Sequence, residues 1–341
     1  MYRRRARPTL RVLTEDLTSD WKGGGPRRWI DQGAHRDLLP LSELAHPLIA
    51  KAVGVFGDEP QQDSPEGRIT SSTLYPSWEI KAAQWRGAVW CDESTGVHWL
   101  IAGGLAKGDH QDHEDFYRVV ERAHRSGAAR AWLPIAEDIR LLKIETAAAI
   151  DLRWQLDLQN MVYDELRGIT FGGVCEFDVP HPLPAKVKPT ERTVAHVTLT
   201  VEPVRDDGVP RDEIVVDVAP TGRWMTDPLT RQANVRLLIS IHAPEQDWDV
   251  GAGMFSTWVE PGSLRTRCDE LTSLVARGEL AEAVPGRSAH VTHREHLAEK
   301  TMNGEAVRAL CGVFFVPRQD HVNLPGCARC AEILGQLSSR R

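Results

Sequence analysis

Residues 78–124 read WEIKAAQWRGAVWCDESTGVHWLIAGGLAKGDHQDHEDFYRVVERAH. Three runs, Trp78–Ala83, Gly87–Cys91 and Val97–Gly103, are rich in aromatic and branched residues, and Asp92–Gly96 supplies a turn, so the stretch begins as sheet. It ends as helix: over Asp112–His124 the residues Phe116, Val119, Val120 and Ala123 share one face, and Ser126-Gly127 stops the period. Asp112 is placed to cap that helix, with acidic neighbours favoured in its first turn. Capping accounts for most of the acids of GDHQDHEDFY. The alternative is a carboxylate–imidazole metal site built from Asp109, His110, Asp112, His113, Glu114 and Asp115. Four of the eleven tryptophans (Trp78, Trp85, Trp90 and Trp99) fall in this region. A compact sheet core is their expected use, ahead of a base-stacking platform. The fold class predicted is α+β.

Outward from this stretch, Leu133–Arg167 repeats apolar residues at helical spacing and has Pro134 near its first turn, which predicts one long helix over 133–167. Beyond Gly172-Gly173 the period changes to two. Thr193–Val201, Glu213–Val218 and Asn234–Ile241 read as strands, and Ser263–Arg277 returns to helix before Gly278. Upstream, His35–Val55 reads as short helices broken at Pro40 and Pro47, and 57–68 as a loop. Residues 1–30, with glycines at 23–25 followed by Pro26, read as a flexible basic arm. The domains expected are therefore the arm, an α+β domain over 31–170, a β-rich domain over 171–283, and a module over 284–335.

The chain has 341 residues, 41% of them hydrophobic and 26% charged, enough apolar material for packed cores in two domains and a small third. No apolar run approaches about 18 residues, so no membrane helix is expected. The basic start MYRRRARPTL has no apolar stretch behind it, which argues against a secretory signal and for a cytoplasmic location. Six cysteines over this length are not a disulfide framework. The net charge of -7 is unevenly spread: residues 1–30 carry +5, residues 284–341 carry +3, and 31–283 carry -15. Such an acidic body repels phosphate, so any nucleic-acid contact is expected at the basic ends, through Arg3, Arg4, Arg5, Arg7 and Arg11 or the C-terminal module. The 33 arginines against 8 lysines point to a GC-rich bacterial genome.

The strongest chemical signal is AHVTHREHLAEKTMNGEAVRALCGVFFVPRQDHVNLPGCARC, residues 289–330. Cys327 and Cys330 have the spacing that lets two thiolates on one turn reach a single zinc, and Cys311-Gly312 fits a knuckle whose amides face the sulfur. A closed structural site needs four ligands, so one of His290, His293, His296 and His321 is expected to complete it. The competing reading is a redox pair, but such pairs follow a strand and open a helix in a thioredoxin-like unit, which the sequence is not expected to form here. With few large apolar residues beyond Leu310, Phe314, Phe315, Val316 and Leu324, a module this small needs a staple. Cys91, Cys175 and Cys268 lie in apolar surroundings and read as buried thiols without a role.

The run from His290 through Gly304-Glu305-Ala306-Val307-Arg308-Ala309-Leu310-Cys311-Gly312, Phe315-Val316-Pro317 and Leu324-Pro325 to Cys327-Ala328-Arg329-Cys330 resembles a small actinobacterial family of uncharacterised zinc-ribbon-like proteins. Ala328 departs from that pattern, where proline is usual. The resemblance implies a bound Zn²⁺ held by His290, Cys311, Cys327 and Cys330, and supplies no activity.

Residues 78–124 also resemble, loosely, the ribosome-dependent ribonuclease toxins of the RelE/HigB type, in which a small sheet presents cationic and titratable side chains to the RNA backbone. That likeness makes Lys81, Arg86 and His98 the candidate catalytic residues, with Lys107, His110, His113 and Tyr117 as further possible groups. The commoner use of such positions is as ordinary polar residues of a half-exposed sheet. The chain contains no GxxxxGK[ST], GxGxxG, HExxH or GxSxG motif, so nucleotide-loop, dinucleotide, zincin and α/β-hydrolase readings have no support. The function expected is a bacterial zinc-binding protein that docks onto nucleic acid or a protein partner in a defence or toxin–antitoxin-like setting. The alternative is a RelE-like ribonuclease effector acting through 78–124.

Overall fold

The structure is a computed structural model. It describes residues 4–107, 112–206, 209–242, 248–251, 254–282, 288–293, 297, 307–315 and 324–338. The chain divides into two compact units, 1–149 and 150–341. Helices and largely antiparallel sheets make it an α+β protein. No helix among the described residues is long and apolar enough to cross a membrane.

The first unit is built on a mixed four-stranded sheet of β1 (Arg7–Pro8), β2 (Ser77–Ala82), β3 (Trp85–Asp92) and β4 (Val97–Leu105), in the order β1-β4-β3-β2. β2, β3 and β4 form an antiparallel meander, and β1 joins β4 in parallel, with Arg7 opposite Trp99. Both faces are covered. On one side Ile80, Val89 and Leu100 pack with Leu13, Leu17, Phe56, Ile30 of α1 (Gly25–Asp31) and the helix α2 (Pro47–Val55). On the other, Trp99, Ile101 and Ala102 pack with Phe116, Val120 and Trp132. This double burial is why Val97–Ala102 is buried at every position and lacks polar alternation. Gly87 permits the close approach of α2: a Cβ there would lie 2.7 Å from Leu100 Cδ1 and 3.1 Å from Leu48 Cδ1. The tryptophans serve the core as expected, with Trp85 and Trp99 buried.

Residues 4–20 are not a flexible arm. Ala6, Val12, Leu13 and Leu17 are fully buried, and Arg7 is 1% exposed against Glu145, with Nη1 3.0 Å from the carboxylate. Arg4 forks onto Asp63, Arg5 pairs with Asp58 at 2.8 Å, and Arg11 pairs with Asp16 at 2.7 Å. The arginine charge that marked the segment as solvated is met by carboxylates, distant in sequence for Arg4, Arg5 and Arg7 and local for Arg11. Arg3 lies outside the described residues.

α3 (Phe116–Ser126) is capped by Asp115, not by Asp112: the Asp115 carboxylate accepts the Tyr117 N–H at 3.1 Å. Asp112 accepts the Glu114 N–H and pairs with Lys107, while Asp109 and His110 lie outside the described residues. Gly127, at φ +80°, ends the helix in a left-handed conformation that suits glycine. α4 (Ala136–Ile169) is the long helix predicted over 133–167.

In the second unit, β5 (Gly173–Pro180), β6 (Thr193–Asp206), β7 (Val209–Pro220), β8 (Asp249–Gly251) and β9 (Met254–Val259) form an antiparallel sheet ordered β5-β6-β7-β9-β8. Alternate residues Val197, Leu199, Val201, Ile214, Val216 and Phe255 enter a core with Trp154, Leu158, Val162 and Leu166 of α4. The intervening Glu176, Asp178, His196, Asp217 and Trp258 are exposed. The segment 234–241 is not a strand but part of α5 (Pro228–Ile241), capped by Asp227, which accepts the Leu229 N–H at 2.9 Å. Residues 236–241 are all buried, so the C-terminal half of the helix has no exposed polar face to show a 3.6-residue period. α6 (Ser263–Arg277) follows as predicted.

Candidate metal centre

The C-terminal segment forms three short chain pairings around residues 289–292. Ala289 pairs with Gly326 in parallel and Thr292 pairs with Ala309 in antiparallel, while β10 (Val307–Arg308) and β11 (Phe314–Phe315) make a hairpin. His290 thus sits between two neighbours, one leading into Cys327 and the other leading into Cys311. Backbone bonds fix this register: Cys327 N–H to the Ala289 carbonyl at 2.9 Å, and Leu310 N–H to the Val291 carbonyl at 2.7 Å. At the hairpin tip the Gly312 N–H reaches the Ala309 carbonyl at 3.0 Å, and Gly312 takes φ +98°, which its missing Cβ allows. α7 (Ala328–Ser338) carries Cys330 in its first turn, and its Ala331 N–H returns to the Cys327 carbonyl at 3.2 Å.

These elements bring four side chains to one point. The ligating atoms of His290, Cys311, Cys327 and Cys330 all lie within 4.8 Å of one another. His290 Nδ1 is 3.4 Å from Cys311 Sγ and 3.8 Å from Cys330 Sγ, and Cys327 Sγ is 3.9 Å from Cys311 Sγ. A tetrahedral zinc, with bonds of about 2.3 Å to sulfur and about 2.0–2.1 Å to nitrogen, sets its ligand atoms roughly 3.5–3.8 Å apart. The donor set therefore fits such an ion in both chemistry and spacing. All three cysteines are free thiols, and a sulfur–sulfur separation of 3.9 Å is far from the roughly 2.05 Å of a disulfide.

Burial and hydrogen bonding act in opposite directions on the thiols of the centre. Burial pushes the Cys311 thiol up to about 12, and neighbouring Cys330 and Cys327 add to the cost of ionising it. Burial also raises Cys330, but the hydrogen bonds its sulfur accepts from the Val291 N–H and from Cys311 outweigh it, so that thiol is lowered. The Val313 N–H likewise serves the Cys311 sulfur, as the knuckle reading expected. As metal ligands these thiols would have to give up their protons, and a bound cation would offset the negative charge left in the buried space. The local core offers little else: Ala309, Cys311, Val313 and Cys330 are its buried members, and two of these are thiols.

Among the other histidines, His293 is exposed and not part of the cluster, and His296 and His321 lie outside the described residues. The CxxC pair opens a helix, which is half of the setting a redox pair uses. The third sulfur and the imidazole are what a redox pair does not need. Sequence reasoning missed two supports. Arg329, between the cysteines, pairs with Asp249 of β8 at 2.6 Å. Upstream, Gln159 and Arg236 grip the backbone at 279–281: Gln159 Nε2 donates to the Glu279 carbonyl, its Oε1 accepts the Ala281 N–H, and Arg236 Nη1 donates to the Ala281 carbonyl. The period-two reading of 234–241 concealed the Arg236 contact.

The candidate catalytic residues occupy different places. Lys81 and Arg86 are directly opposite one another on β2 and β3. Lys81 is exposed and pairs with Glu79 at 3.0 Å, and Tyr117 Oη donates to that same Glu79. His98 pairs with Cys91, five residues along β3 from Arg86, and so faces the other side of the sheet. There it is 6% exposed and stacked on Phe56 with ring centroids 4.3 Å apart. Burial pulls its pKa down to about 4, with Arg4 adding to the effect. Lys107 is held by Asp112 and Glu114, and His113 is exposed.

A family model described as "Protein of unknown function (DUF3039)" matches residues 285–337, the segment that holds all four residues of the cluster. No curated protein and no solved structure matches the chain.

Proposed function

We propose that this chain is a zinc-binding protein in which His290, Cys311, Cys327 and Cys330 hold one structural Zn²⁺, and that the folded C-terminal module docks onto a protein partner. The carrying observation is the convergence of three sulfurs and one imidazole nitrogen within 4.8 Å in a segment with almost no apolar core. Four protein ligands fill a tetrahedral shell and leave no open position for catalysis, so the metal's role is to couple binding to folding of 288–338. A protein partner is favoured over nucleic acid because Arg4, Arg5, Arg7 and Arg11 are engaged by internal carboxylates. The remaining body is acidic.

The test is metal content and folding in the full chain. Protein purified without added metal should carry about one zinc. Cys327→Ser or Cys330→Ser should lose it and expose 288–338 to proteolysis, while 4–282 stays protected. A metal-free protein whose C-terminal module resists proteolysis would refute the proposal. For the docking half, immobilised zinc-loaded protein should retain a host protein that the Cys330→Ser variant does not. Retention of nucleic acid in its place would overturn it.

A further inference from the structure

β5 is an edge. Among the described residues its only ladder partner is β6, and between Val174 and Val179 no backbone bond is made on the other side. The sheet's opposite edge, β8, is three residues long and has Asp249 tied to Arg329. In the first unit the free side of β2 is covered by 67–69, through Ile69 N–H to the Ser77 carbonyl and Glu79 N–H to the Gly67 carbonyl. β5 differs from both. It is eight residues long, and it has no lysine and no proline before its last residue. An uncovered row of amides and carbonyls of this length is a template for another strand.

The side chains say which strand. Outward from the sheet, β5 presents Val174, 59% exposed, then Glu176 and Asp178; their cross-strand partners on β6 are Thr200, Thr198 and His196, and His196 Nδ1 lies 2.5 Å from Asp178 Oδ1. Inward, Cys175 and Phe177 pack on the core but stay only partly buried, and among the described residues no strand lies beyond them at the edge. A strand added there would cover Cys175 and Phe177 with apolar side chains on one face and oppose Glu176 and Asp178 with cations on the other. A second copy of β5 is disfavoured: antiparallel pairing about Phe177 would set Glu176 of one copy against Asp178 of the next, and like charges opposite one another destabilise a sheet.

We propose that β5 is a docking edge for an extended segment of a partner protein that alternates Lys or Arg with branched apolar residues, added antiparallel to Gly173–Pro180. This surface is separate from the metal centre and needs no metal for its recognition.

The probe is a labelled peptide matching β5 in length and alternating Lys and Val, titrated with the zinc-loaded full chain and followed by fluorescence anisotropy. Saturable binding is expected, weakened about tenfold by Glu176→Lys/Asp178→Lys. It should be absent when alternate peptide nitrogens are methylated, because those amides make the ladder. If the charge-reversed chain does not fold, Glu176→Gln/Asp178→Asn must show a smaller loss in the same direction. The proposal is overturned by equal binding to the substituted chain, by binding of the methylated peptide, or by no saturable binding. A dimer of the free chain in sedimentation that dissociates in the double variant would also overturn it, by assigning the edge to a second copy. Because Cys330→Ser leaves β5 in place, peptide binding that survives metal loss separates this inference from the reading of the metal centre.

Discussion

Individual residues carry the chemistry, and two of them illustrate how burial sets it. His98 is neutral in the fold down to a pH of about 4, whereas a histidine in the unfolded chain protonates near 6.5. Below pH 6.5 the unfolded chain therefore takes up a proton that the folded chain refuses, and stability falls as pH drops toward 4. The shift corresponds to about 3 kcal/mol across that window, with no contribution above it. Urea unfolding of the native chain and of His98→Leu at pH 7 and pH 4.5 should show a shallower loss in the variant; parallel losses would mean that His98 is not the responsible group. Arg7 and Glu145 are both buried, and cutting the pair by Arg7→Ala leaves a carboxylate in the core, a change that costs about 3–5 kcal/mol. A denaturation midpoint close to native would contradict that placement. The cysteines were legible in the sequence because CxxC is a local spacing with one dominant chemistry. His290 was not: it lies 21 residues from Cys311, three other histidines competed, and only the family resemblance singled it out.

Elements show where pattern reading works. β2, β3 and β4 were legible from aromatic and branched runs broken by a turn, and α4 from repeating apolar residues, of which Trp154, Leu158 and Val162 face a single core. α5 was not legible, because a helix buried around its C-terminal half has no polar phase. β1 was not legible either. It is two residues long, and its meaning lies in a parallel pairing with Trp99 and Leu100, about ninety residues away in sequence. Its integration has a consequence. Removing residues 1–20 should expose the apolar faces of α2 and β4, so that the first unit aggregates or loses its cooperative transition. A truncated chain with an unchanged transition would restore the flexible-arm reading. Between α2 and the sheet, Gly87→Ala should cost about 1–3 kcal/mol by overpacking against Leu100 and Leu48, measured by chemical denaturation. A stability equal to native would show that α2 has room to retreat.

At the scale of the whole molecule, each unit has its own core and the charges are spent differently in each part. Arg4, Arg5, Arg7 and Arg11, which in sequence suggest an arm for phosphate, are engaged by carboxylates within the first unit. The second unit buries one sheet face and leaves the other acidic, and the described residues from 288 on gather side chains better suited to a metal than to a hydrophobic core. That contrast between ample cores in the body and a nearly empty one at the C-terminus is the reason to assign the cysteine–histidine cluster a structural ion. The most direct measurement is X-ray absorption at the zinc edge on protein purified without added metal. The account predicts one zinc per chain with three sulfur neighbours at about 2.3 Å and one nitrogen at about 2.0–2.1 Å. A metal-free chain with its C-terminal module intact, or a native disulfide between Cys327 and Cys330, would contradict it.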